Sequence, residues 1–380
     1  MGILLLHGKL TFKGGNQMCR LYIQSLLVLS SQLCTAVADT KSDFREAYQR
    51  YQQAISSADT TAALKAAEQS YKLGSKVYGK THINTAKLGV NYAGLLNDKE
   101  EYKKAKKVLK GKLAIMESRF DDNAIDMVAP LIELARAEFK PNKPEKSLAY
   151  FERVGSIISH QNYPVFRANK NVEIATMLMH LGGQEHARAY YEAAHRDYLT
   201  ALQPEDARLG RSSFQMAMLA IQEREFEDAA DYLGAALVSF DQDGQMNDAE
   251  RSTRELMVDV LSRTQRHDEA NPHLQALGEF DDGPSTPLFR VPLGLDRDQF
   301  RKVIGKSIEI TFTVDANGFV VDPQIVDSNS DTLNDKALAA IAKFRYAPRF
   351  EDGKPVATTN VRHTFDYSKE KVRQMIGRGR

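Results

Sequence analysis

Six short segments of this chain carry a small residue at an almost constant interval, and no other feature narrows the possible folds as much. AALKAAEQSY (from Ala62), KAKKVLK (from Lys104), KSLAYFE (from Lys146), HARAYYE (from His186), DAADYLG (from Asp228) and EANPHLQ (from Glu269) align so that the small residues are Ala63, Ala105, Ser147, Ala187, Ala229 and Ala270, with gaps of 42, 42, 40, 42 and 41. Twelve residues before five of them stand Ala93, Ala135, Ala175, Ala217 and Val258, while Tyr51 takes that place in the first unit. Large apolar residues keep the same register: Tyr92, Leu134, Ile174, Met216 and Met257 beside one column, Leu109, Phe151, Tyr191, Leu233 and Leu274 four residues after the other. From about Asp43 to Leu277 apolar residues recur at three- and four-residue spacing, the signature of amphipathic helices. Small residues at two fixed points of a helix pair let the axes approach closely, and the large ones wedge between neighbouring pairs.

The spacing of twelve between the two small columns resembles the tetratricopeptide repeat, whose helix–turn–helix units stack on one another. The period here is longer than the usual length of about 34 residues, as in members with longer helices. The resemblance implies a surface that binds peptides or proteins and performs no chemistry.

After EFDDGPSTP (Glu279 to Pro287), a Gly/Pro/Asp-rich piece that reads as a linker, the period changes. KSIEITFTV, Lys306 to Val314, alternates Ile308, Ile310, Phe312 and Val314 against polar residues, which predicts a half-buried strand. Asp315-Ala316-Asn317-Gly318 is a turn, and Phe319 to Val326 returns as a second strand in which Pro323 implies an edge or a bulge. Thr332 to Asp335 reads as a capping box. The helix behind it places Leu333, Ala337, Leu338, Ile341 and Phe344 on one face, with Phe344 as an aromatic plug for the sheet. Pro348 stops the helix, Asp352-Gly353 turns the chain, and Val356 to Tyr367 reads as a closing strand.

The series ITFTVDANGFVVDPQIVDSNSD, LNDKALAAIAKFRYAP, EDGKPV and VRHTFDY resembles the C-terminal domain of TonB-like proteins over roughly Arg290 to Tyr367. Phe344-Arg345-Tyr346-Ala347-Pro348 is its most specific piece, with Phe where the family more often has Trp. The Tyr-Pro element that opens the family's domain is replaced by Val291-Pro292-Leu293. The resemblance implies a periplasmic domain that accepts a receptor peptide as an added strand along the closing edge. It makes Arg345, Tyr346, Val356, Thr358, Asn360 and Arg362 the candidate partner-binding residues. Arg345, set between two aromatics, is also read as a structural group that stacks or pairs at the sheet end.

The N-terminus bears on the compartment. From Met18, MCRLYIQSLLVLSSQLCTAVADT has a basic start at Arg20, an apolar stretch from Leu21 to Leu33 and a small-x-small site at Ala36-Val37-Ala38, the form of an export signal. The alternative is a segment retained as a membrane anchor. Both cysteines, Cys19 and Cys34, precede the expected cut, so a processed chain has no thiol for disulfides, nucleophilic catalysis or metal. Lys+Arg 51 against Asp+Glu 50 offers no electrostatic case for nucleic acid.

Other candidate chemistry does not assemble. Asp327-x-Asn329-x-Asp331 begins like a calcium loop but has Thr332 at the sixth position and Leu338 at the twelfth. The histidines form no i, i+4 metal pair, and no GxSxG, Walker loop or GxGxxG occurs. The sequence thus predicts a mostly α protein, a tetratricopeptide-like α-solenoid followed by a small α+β (β-β-α-β) domain. Its parts are an export signal (1–38), helical repeats (39–280), a linker (281–289), a TonB-like domain (290–368) and a basic tail (369–380) read as a frayed helix or disorder. The expected function is that of a periplasmic adaptor, neither an enzyme nor a cofactor protein. Its expected partners are a TonB-dependent outer-membrane receptor and TonB/ExbB/ExbD-type components, with contact to the membrane only through those partners or an uncleaved anchor. A membrane-anchored energy transducer and an envelope scaffold without a transport role are the alternatives.

Overall fold

The structure is a computed structural model and describes residues 39–140, 142–241, 246–280 and 286–377. The expected export signal, with Met18, both cysteines and the cleavage site, lies outside these residues. The chain divides into two compact units, residues 1–162 with 176–183 and residues 163–175 with 184–380.

The first unit is all helix. Helix α1 covers 39–56 and is followed by α2 (Thr60–Tyr78), α3 (Ile83–Asp98), α4 (Tyr102–Leu109) and α5 (Lys112–Glu117). A 3-10 turn (Ile125–Met127) leads into α6 (Val128–Glu138), α7 (Glu145–Ser159) and the end of α8 (Pro164–Leu181). Side chains mark the starts: Asp59 accepts from the N–H groups of Thr61 and Ala62, and the His82 ring accepts from Asn84 N–H. The second unit begins with the first turns of α8 and continues through α9 (Gln184–Ala201), α10 (Ala207–Glu223), α11 (Phe226–Phe240), α12 (Asp248–Arg263) and α13 (His267–Phe280).

All eleven small-column residues, from Ala63 to Ala270 and from Ala93 to Val258, are buried. They lie on the packed faces of their helices. In the α6–α7 pair the Ser147 hydroxyl donates to the Ala135 carbonyl at 2.6 Å, which joins one column directly to the other. The large residues beside them are buried too, with Tyr92 half-buried. Within α10 to α13, Ala217, Ala229 and Ala270 pack with Leu233 and Met257 in one cluster. A larger side chain on such a face would push the helices apart at a cost of about 1–3 kcal/mol.

The C-terminal module follows α13 within the second unit. It comprises α14 (Arg297–Val303), β1 (Ser307–Val314), β2 (Val320–Ser328), α15 (Asp331–Ile341), β3 (Arg349–Glu351), β4 (Lys354–Val356), β5 (Thr358–Asp366) and α16 (Lys369–Gly377). An antiparallel sheet in the order β2-β1-β5 carries α15 on one face, and β3 with β4 forms a separate hairpin. The expected alternation of β1 is met: Ile308, Ile310, Phe312 and Val314 are all buried, in one core with Leu333, Ala337, Ile341, Phe344 and Tyr346. Pro323 lies on the edge strand β2 beside Asp322 at φ 50, where the pairing register shifts.

Several details differ from the sequence expectation. The helix after β2 starts at Asp331, and its N-cap Ser330 makes no side-chain capping bond. The capping box forms instead at α14, where Asp296 Oδ1 accepts from Gln299 N–H (2.8 Å) and Gln299 Oε1 from Asp296 N–H (3.2 Å). The single closing strand is three pieces, because the Asp352-Gly353 turn makes a tight β3–β4 hairpin before β5 begins. The tail is helical as far as Gly377, with Val372 buried. The end of the expected linker is docked: Leu288 and Phe289 donate N–H bonds to the Arg345 carbonyl (2.8 and 3.3 Å), and Arg345 N–H donates to Phe289 (3.2 Å).

Candidate functional site

Two places in the C-terminal module gather the candidate residues: the outer edge of β5, and a buried node where the module meets α13.

Among the described residues no strand pairs with the outer side of β5, which runs antiparallel to β1 from Ser307↔Asp366 to Val314↔Thr358. Tyr367 N–H bonds the Lys306 carbonyl at 2.9 Å. Antiparallel ladders alternate bonded and non-bonded pairs, so the odd-numbered residues of β5 face β1 and the backbone groups of Arg362 and Thr364 point outward. That edge can accept an extended chain. One sheet face is closed beside it, where Phe344 packs edge-on against His363 and Phe365, with ring centroids 5.2 and 5.9 Å away. Burial, then the charge of Arg290, holds His363 below the usual histidine range. On the other face Arg362 is exposed and reaches Glu309 at 2.9 Å. Asn360 takes φ 59 where the β1–β5 register shifts, so the edge is bulged at its beginning and regular from Val361 onward. Val356 is not on this edge; it pairs with Arg349 in the hairpin.

Arg345 and Tyr346 are each 1% exposed, so neither side chain offers a surface to a partner. Their place is the node. The Arg345 guanidinium lies over the Phe319 ring, 3.8 Å from its centroid. Its Nη1 donates to His267 Nδ1 (3.1 Å), and its Nη2 to Asn271 Oδ1 (2.8 Å) and to the Asn317 carbonyl (2.9 Å). His267 and Asn271 belong to α13, so one buried cation ties the sheet turn to the last helix of the repeats. All three acceptors are neutral. Burial pulls Arg345 down to about 10, opposed in part by Asp315, which leaves it charged at neutral pH. His267 is also held below its usual range, first by burial and then by the Arg345 charge, while Asp268 acts the other way. The His267 ring meets Phe319 edge-on at 5.7 Å, and Arg263 on α12 lies over Phe289 at 5.8 Å.

Two glycines make the fit possible. A Cβ on Gly278 of α13 would come within 2.2 Å of the Pro348 carbonyl oxygen. A Cβ on Gly318, at φ 80, would come within 2.1 Å of the Tyr346 carbonyl, whose own N–H donates to Gly318 (3.0 Å). The aromatic–Arg–aromatic–Ala–Pro segment is therefore the seat of α13. The sequence marked Arg345 as a stacking residue, but α13 as its partner carried no local signal.

Among the described residues there is no group of His, Cys, Asp or Glu placed to hold a metal ion, and no helix is long and apolar enough to cross a membrane.

Comparison with known proteins bears on both halves. Residues 303–368 match the family described as the Gram-negative bacterial TonB protein C-terminal. No curated protein matches the chain. Among solved structures, a kinesin light chain protein of nearly identical TPR-like repeats from Podosopora anserina is 15% identical, with 52% of this chain and 94% of that one covered and a TM-score of 0.41. The assembly chaperone of RpL4 is 16% identical (63% and 91% covered, TM-score 0.39), and BtubC from P. vanneervenii 15% identical (68% and 98% covered, TM-score 0.39). These are loose likenesses, and the repeat assignment stands on the buried columns and helix pairing described above. Residues 303–368, which match the TonB C-terminal family, thus belong to a module that follows tetratricopeptide-like helix pairs and grips the last of those helices.

Proposed function

We propose that the protein is an exported, non-catalytic adaptor of a TonB-type outer-membrane transport system, working in the periplasm. The helix pairs hold one protein partner, and the C-terminal module takes an extended receptor peptide as a fourth strand beside β5. The observation that carries this reading is the open edge of β5 in a segment matching the TonB C-terminal family. Main-chain bonds would supply affinity, and side chains beside Arg362 and Thr364 would supply selectivity. Export is supported by the signal-like pattern from Met18 to Ala38.

Thr364→Pro provides the test. It removes an outward N–H while leaving the bonds to β1 in place. In pull-downs from periplasmic and outer-membrane extracts, wild type is expected to recover a TonB-dependent receptor. The variant, with an unchanged melting profile, should lose about tenfold of that recovery, as expected when one main-chain bond is lost and its carbonyl partner is left unpaired. Recovery of no transport-system component by the wild-type protein sinks the reading.

A further inference from the structure

The nearly even overall charge conceals a local excess. On α4, Ala105 and Leu109 are buried while Lys103, Lys104, Lys106 and Lys107, with Lys110 at the C-cap, are exposed, so the outer arc of the helix is lysine. Lys106 from α4 and Lys146 from α7 both bond Glu138 at the end of α6, at 2.7 and 2.9 Å. That shared carboxylate, held below its usual range by the two ammonium groups against the opposing effect of burial, brings the α6–α7 connection beside α4. The connection adds the exposed Lys140 and Lys143. Lys104 is paired with Glu101, whereas Lys103, Lys107, Lys110, Lys140 and Lys143 make no ion pair among the described residues.

We infer that this face docks the first unit on an anionic lipid surface. Three features favour a bilayer over an acidic protein. Every base on the face is lysine, a compact hydrated charge suited to diffuse attraction, and none is arginine, the residue for forked recognition of single carboxylates. The lysines stand on the outer side of a helix, while two cavities lie elsewhere, one between α1 and α2 and one among α9, α10 and α11. Among the described residues no large apolar side chain is exposed on α4 or on the α6–α7 connection, which leaves them neither an anchor for a protein hot spot nor a wedge for insertion. What remains is electrostatic attraction, which acts within a Debye length of the surface and weakens with salt.

The experiment is co-sedimentation of the full-length protein with vesicles of phosphatidylcholine alone or with about 30 mol % phosphatidylglycerol, at low and high salt, alongside binding to poly-glutamate. Binding is expected on the anionic vesicles only and should be lost at about 0.5 M salt, where screening is strong. The variant K103E/K107E/K110E should lose about tenfold or more, while K343E/K354E/K371E, the same charge change at exposed sites of the C-terminal module, should not. Circular dichroism checks that both variants remain folded. Equal sedimentation with neutral vesicles, equal loss in the two variants, or retention by poly-glutamate without retention by anionic vesicles overturns the inference, the last pointing to an acidic polypeptide instead.

Discussion

At the scale of single residues, Arg345 shows how a buried charge can be tolerated without a bonded counter-ion. Its fork is spread over an imidazole nitrogen, an amide oxygen and a main-chain carbonyl, with an aromatic ring beneath. Removing it leaves those buried acceptors unpaired, which costs more than the bonds themselves contribute. Arg345→Ala is expected to destabilise the protein by about 2–4 kcal/mol, read as a lower melting temperature. The loss should be largest in hydrogen-exchange protection at 286–290 and along α13. Arg345→Lys should recover little, because an ammonium cannot span His267 and Asn271 at once. The residue's stacking was legible from its place between Phe344 and Tyr346. Its partners were not, since they lie 74 and 78 positions away in a helix of ordinary composition.

At the scale of elements, legibility followed periodicity. The repeat helices and β1 announce themselves by spacing that packing enforces: small residues on packed helix faces, alternation where one sheet face is covered. The elements missed were too short to show a period. Strands β3 and β4 are three residues each, and seven-residue α14 could have been found only by its Asp296-to-Gln299 capping pair. The seat of α13 also has a pH dependence. His267 must be unprotonated at Nδ1 to accept from Arg345, and Asn271, Phe319, Asp268 and the more distant Asp315 complete its surroundings. Its pKa is depressed when docked, so the undocked state binds more protons in acid. The stabilisation is complete above about pH 6.5, the ordinary histidine value, and falls as pH drops below it. Melting between about pH 7.5 and 5 should show this loss, and His267→Gln, which keeps an acceptor but cannot titrate, should flatten the part due to this residue. His195 and His363 are depressed by burial as well and should keep their share in that variant. An unchanged slope in His267→Gln would remove the imidazole from the account.

At the scale of the whole molecule, composition hid as much as it revealed. A net charge of +1 gave no hint of the lysine face, because surplus and deficit cancel along the chain. The compartment rests on residues 18–38. Mass spectrometry of the protein made in a Gram-negative host should find the N-terminus at Asp39 if the leader is cleaved, whereas an intact leader in the membrane fraction would favour the anchored transducer. The docked segment at Leu288 and Phe289 has a mechanical consequence. If a receptor peptide on β5 were pulled, the Arg345 fork and the main-chain bonds at Leu288 and Phe289 would be among the contacts that carry tension toward α13. That seat is made of a handful of hydrogen bonds and one ring contact, so strain applied at β5 is expected to register as a loss of protection along α13.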